Sequence, residues 1–243
     1  LAGLPTGSVE VPAAVRRLAG GRPIAPVWRN ELGGFTFRLG DGSDAQYVKW
    51  IAIGTPEIDL PAEAERLSWA RRWITVPAVI DQGADAEGTW LLTAAAPGRS
   101  AVDPLWLTRP ATAAAAIGHG LRVLHDALPV VECPFDWSVE RRLARAGDRT
   151  HADLRQPPPI DRLVVCHGDA CAPNSLLYDD GTFAAHVDLG ALGVADRWAD
   201  LAVAAWSTEW NYGRGCDGIV YGAYGIAPDV ERIAYYRRLW DAT

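Results

Sequence analysis

Phe35-Thr-Phe-Arg-Leu39 alternates apolar and polar positions, the period-two signature of a half-buried strand. Asp41-Gly42 follows as a turn signal, and Ala45–Ile51 supplies a second strand, so the pair is predicted to form a hairpin. From Pro61 to Trp73 the pattern becomes helical. Pro sits near the start, Glu63 and Glu65 fall in the first turn and Arg71 and Arg72 in the last, the charge order that suits a helix dipole. Val76–Ile80 and Thr89–Ala95 are predicted strands, and Ala96-Pro97-Gly98 then breaks the pattern. The chain is predicted to divide there into a β-rich lobe over residues 1–96 and a larger lobe over residues 97–243.

The second part reads as helical. Ile117, Leu121, Leu124 and Leu128 recur on one face of Ala111–Leu128. Asp136–Ala146, Trp198–Trp206 and Asp229–Trp240 are further predicted helices, and Gln156-Pro-Pro-Pro159 is a loop. Leu163–Cys166 is a short buried strand running into His167-Gly-Asp169. Ser175–Tyr178 and Phe183–Val187 flank Asp179-Asp180-Gly181, a strong hairpin signal. No internal repeat interrupts this layout. The predicted class is α+β: a small β-rich lobe, a linker, and a larger helical lobe with an embedded hairpin.

Composition narrows the function classes. With 243 residues, 49% of them hydrophobic, the chain can bury a substantial core. No apolar run approaches the roughly 18–20 residues of a membrane span, and no basic segment leads an apolar one as in a signal peptide. The expectation is a cytoplasmic protein without a membrane partner. The chain begins at Leu1 and contains no Met, so its natural start is expected to lie upstream. Cys133, Cys166, Cys171 and Cys216 show no zinc-like spacing and are expected to be reduced and packed. The net charge of −7 argues against a nucleic-acid partner and is compatible with a cationic small substrate. Oligomeric state is not legible.

The informative stretch is His167-Gly-Asp-Ala-Cys-Ala-Pro-Asn174, followed by Asp188-Leu-Gly190. Asp169 and Asn174 share a loop between a strand and a hairpin, and the hairpin can return Asp188 beside Asn174. An Asn plus an Asp suits Mg²⁺, which takes one or two carboxylates together with substrate phosphates. A free carboxylate nearby can accept a hydroxyl proton, the division of labour in kinase phosphoryl transfer.

These residues carry a resemblance. His167-Gly-Asp-x-x-x-x-Asn174 with Asp188-Leu-Gly190 resembles the catalytic and metal-binding loops of aminoglycoside phosphotransferases. Gly193-Val-Ala-Asp-Arg-Trp-Ala-Asp200 is similar to the branch acting on kanamycin- and streptomycin-type substrates. The similarity extends through Glu63-Ala-Glu-Arg-Leu-Ser-Trp69 and Trp90-Leu-Leu-Thr-Ala-Ala-Ala-Pro-Gly98, and so spans nearly the whole chain. It implies a two-lobed protein-kinase-like fold, ATP and Mg²⁺ as cofactors, Asp169 as catalytic base or substrate-orienting carboxylate, and Asn174 and Asp188 as metal ligands. In such loops His167 is a structural hydrogen-bonder. His119, His125, His151 and His186 show no ligand spacing and are expected to be structural.

Lys49 is the only lysine and lies in a predicted strand. In a kinase fold it would reach the nucleotide phosphates, paired with a glutamate. Glu63 and Glu65 both follow at a suitable distance, and the resemblance favours Glu63. Gly33-Gly34 could let backbone amides approach phosphates. The resemblance further implies that the linker around Thr93–Ala96 binds the adenine edge through main-chain groups of Ala94 and Ala96. For the acceptor, it implies carboxylates, for which Glu209, Asp217 and Asp241 are available. Two positions depart from the family pattern: Ala191 stands where Arg commonly follows Asp-x-Gly, and Trp210-Asn211 where an acidic pair is expected. Trp206, Trp210, Tyr212 and Trp240 are expected to serve the core, a sugar-binding wall being the alternative.

The leading expectation is phosphate transfer to the 3′ or 3″ hydroxyl of an aminoglycoside. The departures keep open a kinase of another small cationic metabolite such as an amino sugar. A catalytically silent kinase-like binding module is disfavoured by the intact Lys49, Asp169, Asn174 and Asp188. Protein kinase activity is disfavoured because no activation segment follows Asp188-Leu-Gly190.

Overall fold

The structure is a computed structural model and describes residues 3–56, 58–146 and 152–243; His151 lies outside the described residues. Two compact units are present, one of Leu1–Arg71 with Pro77–Ala96, the other of Arg72–Val76 with Pro97–Thr243.

The first unit is built on a five-stranded antiparallel sheet of β1 (Ile24–Arg29), β2 (Phe35–Leu39), β3 (Gln46–Ala52), β5 (Gly88–Ala94) and β4 (Val79–Ala84), in that spatial order. The predicted hairpin is β2–β3, with Phe35 opposite Trp50 and Thr36 opposite Lys49. Phe37, Leu39, Val48 and Leu92 bury one set of alternate positions against Ala14, Val15 and Ala19 of α1 (Ala13–Ala19). Lys49, at the other parity, falls on the opposite face. There α2 (Leu60–Ala70) begins at Asp59, whose carboxylate accepts the Ala62 N–H at 2.9 Å.

Sequence reasoning missed β1 because Pro26 demotes a strand. Pro26 fits here because β1 is an edge strand with an irregularity between Pro26 and Trp28. The predicted helix ends early, at Ala70, so Arg71 and Arg72 lie beyond its last turn. The strand predicted from Val76 starts at Val79 instead.

The second unit contains α3 (Pro104–Leu107), α4 (Pro110–Ala127), α5 (Val139–Ala146), α6 (Trp198–Tyr212), α7 (Asp217–Tyr224) and α8 (Val230–Ala242). Two small sheets accompany them, β7 (Leu163–Cys166) with β10 (Gly193–Asp196), and β6 (Arg99–Ser100) with β8 (Ser175–Leu177) and β9 (Phe183–His186). The predicted stripe Ile117, Leu121, Leu124 and Leu128 is buried throughout. The α5 helix starts later than Asp136 because Phe135 and Trp137 are drawn into backbone bonds with Val194. Gly193 permits this approach: a Cβ there would lie 2.8 Å from the Trp137 nitrogen. The fold is α+β, as expected. Among the described residues no helix is long and apolar enough to cross a membrane.

Candidate active site

The apolar strand β7, buried at Val164, Val165 and Cys166, delivers the chain into His167-Gly168-Asp169. Gly168 has φ 83°, a left-handed conformation that glycine adopts without strain. A Cβ there would also lie 2.2 Å from the Ala191 carbonyl oxygen. Ala172–Asn174 forms a 3-10 turn, after which β8 leaves and β9 returns with Ser175 opposite His186. The Val187 N–H donates to the Asn174 carbonyl at 3.0 Å. Asn174 and Asp188 therefore stand at adjoining ends of one hairpin. Asp188 has φ 63°, alone among the described non-glycine residues in being positive. Such strain persists where surroundings over-determine it, as at functional sites.

Asn174 Nδ2 donates to the Asp169 carbonyl at 2.9 Å and to Asp169 Oδ2 at 3.2 Å. Asp169 Oδ1 is buried and has no hydrogen-bond partner. Burial, and after it the charge of Asp188, pushes the Asp169 carboxyl above the ordinary carboxylate range, against the pull of Cys171, His167 and Asn174. A desolvated carboxylate with one unfilled oxygen is equipped to orient a hydroxyl and take its proton.

The loop's backbone is held from α6. Asp200, fully buried, accepts the His167 N–H on Oδ2 at 2.6 Å and the Gly168 N–H on Oδ1 at 2.9 Å. Its Oδ2 also meets His125 Nε2 at 3.0 Å. Burial opposes a charge on Asp200, but His125, His167 and the Gly168 amide outweigh it, leaving the carboxyl below its ordinary range. Two turns along, Ser207 Oγ accepts the Ala172 N–H at 2.9 Å, and Asn211 Nδ2 donates to Ser207 Oγ at 3.2 Å. The His167 ring accepts the Asp169 N–H at 3.4 Å and donates from Nε2 to the Val187 carbonyl at 2.9 Å, the structural role expected of it. His186 is buried against the Gly120 carbonyl, and burial takes its pKa down to about 3, so it is neutral. His119 is exposed.

Sequence reasoning missed the work of Asp200, His125, Ser207 and Asn211. The available signal was polar side chains embedded in apolar helices.

The oxygen donors fit Mg²⁺. Asn174 turns its amide nitrogen to Asp169, which leaves its Oδ1 for a cation, and Asp188 adds a carboxylate whose charge already bears on Asp169. Among the described residues, His125, Cys166 and Asp200 also lie within metal-ligand range of one another. That cluster reads as a hydrogen-bonded core: both Asp200 oxygens are occupied, and the Cys166 thiol, which points at the Asp196 carbonyl, is pushed up by burial.

In the first unit Lys49 Nζ meets Glu63 Oε1 at 2.6 Å, with Glu63 buried and Glu65 exposed. Gly33 and Gly34 form the β1–β2 turn. Both amides are engaged by Asn30, Gly33 with its carbonyl at 3.2 Å and Gly34 with its Oδ1 at 2.7 Å. The Ala94 amide is likewise engaged, donating to the Ala78 carbonyl at 2.9 Å.

Of the acceptor carboxylates, Glu209 on α6 pairs with Arg237 on α8 at 3.4 Å, and Asp241 on α8 is exposed. Trp206, Trp210 and Trp240 cluster at this end, with ring centroids 4.6 Å apart for Trp206–Trp210 and 5.9 Å for Trp210–Trp240. Trp210 is 50% exposed. Tyr212 anchors its hydroxyl on the Ala101 carbonyl.

Comparison with known proteins gives this geometry a family. A profile described as the phosphotransferase enzyme family matches residues 33–238. An aminoglycoside 3′-phosphotransferase from Streptomyces fradiae is 36% identical, over 86% of this chain and 91% of that protein. A streptomycin 3″-kinase from Streptomyces griseus is 32% identical, over 88% and 89%. The crystal structure of a type VIII aminoglycoside-3′-phosphotransferase superposes with a TM-score of 0.78 at 31% identity, covering 94% of this chain and 97% of that one. The aminoglycoside phosphotransferase APH(3″)-Id from Streptomyces rimosus, solved with ADP and streptomycin, gives a TM-score of 0.68 at 30% identity, covering 93% and 95%. The chain belongs to the phosphotransferase enzyme family, on its aminoglycoside phosphotransferase branch.

Proposed function

We propose that this protein is a cytoplasmic ATP-dependent O-phosphotransferase that moves the γ-phosphate to the 3′ or 3″ hydroxyl of a cationic aminoglycoside. The observation that carries the chemistry is the buried, unpartnered Oδ1 of Asp169. That oxygen accepts a hydrogen bond from the acceptor hydroxyl, orients it, and takes its proton as the new O–P bond forms and the bond from the γ-phosphorus to the β,γ-bridging oxygen breaks, releasing ADP. Asn174 positions Asp169 through its amide nitrogen and, together with Asp188, holds Mg²⁺. When bound, the ion neutralises phosphate charge. Lys49, fixed by Glu63, binds the α- and β-phosphates. Main-chain groups of Ala94 and Ala96 bind the adenine edge. The Ala94 amide is already engaged by the Ala78 carbonyl. Gly33 and Gly34 contribute amides to the phosphates only if Asn30 releases them. Glu209 and Asp241 attract the cationic acceptor. The acceptor class is supported by the printed activities of the Streptomyces relatives and by the ADP and streptomycin held by the Streptomyces rimosus enzyme.

A second reading, an amino-sugar kinase, is favoured by one feature. Asn211 is a neutral amide committed to Ser207 where the family pattern has an acidic residue, and the Glu209 carboxylate is paired with Arg237, so fewer free carboxylates remain for a polycation. Phosphate transfer from ATP to kanamycin, neomycin, streptomycin and glucosamine, assayed side by side, separates the two. Transfer to one or more antibiotics supports the first reading. Transfer to glucosamine alone supports the second.

A further inference from the structure

Tyr224, at the end of α7, is a buried tyrosine remote in sequence from the catalytic loop, yet its hydroxyl lies 3.0 Å from His125 Nδ1. The opposite ring nitrogen, Nε2, lies 3.0 Å from Asp200 Oδ2. Asp200 is the residue that holds the His167 and Gly168 amides. All of these side chains are buried, so each donor and acceptor must be assigned within the protein.

The protons can be placed by elimination. Asp200 is ionised and accepts from two backbone amides, so it has no proton to give. The hydrogen on the His125–Asp200 contact therefore belongs to His125 Nε2. With its hydrogen on Nε2 alone, the ring presents a lone pair at Nδ1, which needs a donor. The Tyr224 hydroxyl supplies one. Its single proton is directed to His125 Nδ1, 3.0 Å away.

We infer that Tyr224 is a positioning residue of the catalytic loop: its hydroxyl locks His125 in the Nε2–H tautomer, and that tautomer holds Asp200 against the amides that set Asp169. The chain of contacts runs from Tyr224 through His125 and Asp200 to the backbone of His167 and Gly168. With Phe at position 224, Nδ1 loses its donor, and the ring is free to turn or to change tautomer. Asp200 would then face a lone pair in place of an N–H in part of the population.

This inference rests on the reading of Asp169 as the hydroxyl-orienting carboxylate, but its first test does not. In ¹⁵N-labelled wild-type protein, His125, assigned by comparison with His125→Gln, is expected to show the neutral Nε2–H tautomer at pH 7. An Nδ1–H tautomer or a doubly protonated ring overturns the proposal.

The second test is kinetic. Tyr224→Phe keeps the ring that packs on His125 and under Arg122. It is expected to keep KM for ATP, to show mixed His125 tautomers, and to lower kcat about tenfold, equivalent to ~1.4 kcal/mol of barrier. Tyr221→Phe is the control, because Tyr221 lies on the same helix with its hydroxyl outside the network, near Arg237; its kcat is expected to be unchanged. An unaltered kcat in Tyr224→Phe, or equal losses in both variants, overturns the proposal. If Tyr224→Phe fails to fold, the wild-type tautomer decides. ATP hydrolysis serves as the rate should no acceptor be turned over, and normal turnover by Asp169→Asn would refute the role of Asp169 separately from the tautomer result.

Discussion

The body of α6 and its last turn do different work. From Trp198 to Thr208 the helix is largely buried, and Asp200 and Ser207 spend their oxygens on backbone amides of the catalytic loop. Its last turn carries Glu209 and Trp210, partly exposed and in contact with side chains of α8. A buried amide without a partner is costly, so the body tolerates little change. A half-exposed ion pair contributes little to stability, so the last turn can vary with the acceptor. The chemistry is thus anchored by backbone hydrogen bonds, and specificity is left to exposed side chains on the same helix.

The sharpest way to break this contrast is to exchange the two carboxylates' fates. Asp200→Ala orphans two amides and His125 and should cost about 3–5 kcal/mol, as for removal of one partner of a buried pair. Glu209→Ala should cost at most about 1 kcal/mol. Urea denaturation of both variants makes the comparison. The pH dependence has a definite sign. Asp200 titrates lower in the folded state than in the unfolded chain. Its contribution is therefore complete above the ordinary carboxylate pKa and is lost as pH falls through the folded value. The stability gap between wild type and Asp200→Ala should narrow on acidification.

Next in size are the metal ligands. Asp188→Ala should cut turnover at saturating ATP by about a hundredfold or more, the scale on which charge stabilisation at a transition state operates. Asn174→Ala should cost less, since it removes a neutral oxygen donor. Titration of activity with Mg²⁺ checks both, and an unchanged Mg²⁺ requirement in Asp188→Ala would remove that residue from the metal site. The smallest effects are expected at the acceptor end. Glu209→Gln and Asp241→Asn should raise acceptor KM a few-fold with kcat preserved, the mark of binding common to ground and transition states. KM should also rise with salt, because screening acts over about 8 Å at physiological ionic strength. A KM insensitive to both changes would point to an acceptor held without these carboxylates.

The sequence made some of this legible and hid the rest for physical reasons. Alternation marked β2 and β3, the Asp179-Asp180-Gly181 turn marked the β8–β9 hairpin, and spacing brought Asn174 and Asp188 to one hairpin end. Lys49 stood out because the chain has a single lysine, and the family resemblance favoured Glu63 over Glu65 as its partner. Strand β10 carries no alternation, and α7 carries Gly218 and Gly222, so neither has a local signal. The Tyr224–His125–Asp200 chain joins residues from three helices, a long-range pairing that no local pattern encodes. Asn30's hold on the Gly33-Gly34 turn and Arg237's hold on Glu209 escaped for a related reason: each is a choice of hydrogen-bond partner made only in the folded chain.

The most direct test is Asp169→Asn, measured for turnover, ATP affinity and thermal stability together. Turnover should fall about 10²–10⁴-fold, the usual contribution of a general base, with ATP affinity retained. Because the Asp169 carboxyl titrates higher in the folded protein than in the unfolded chain, the carboxylate's destabilising effect sets in as pH rises through that window. The Asn variant should therefore melt a few degrees above wild type at neutral pH and lose that advantage in acid. Near-normal turnover, or a melting temperature below wild type at neutral pH, would contradict the assignment of Asp169 as a buried, unsatisfied carboxylate kept for the acceptor hydroxyl.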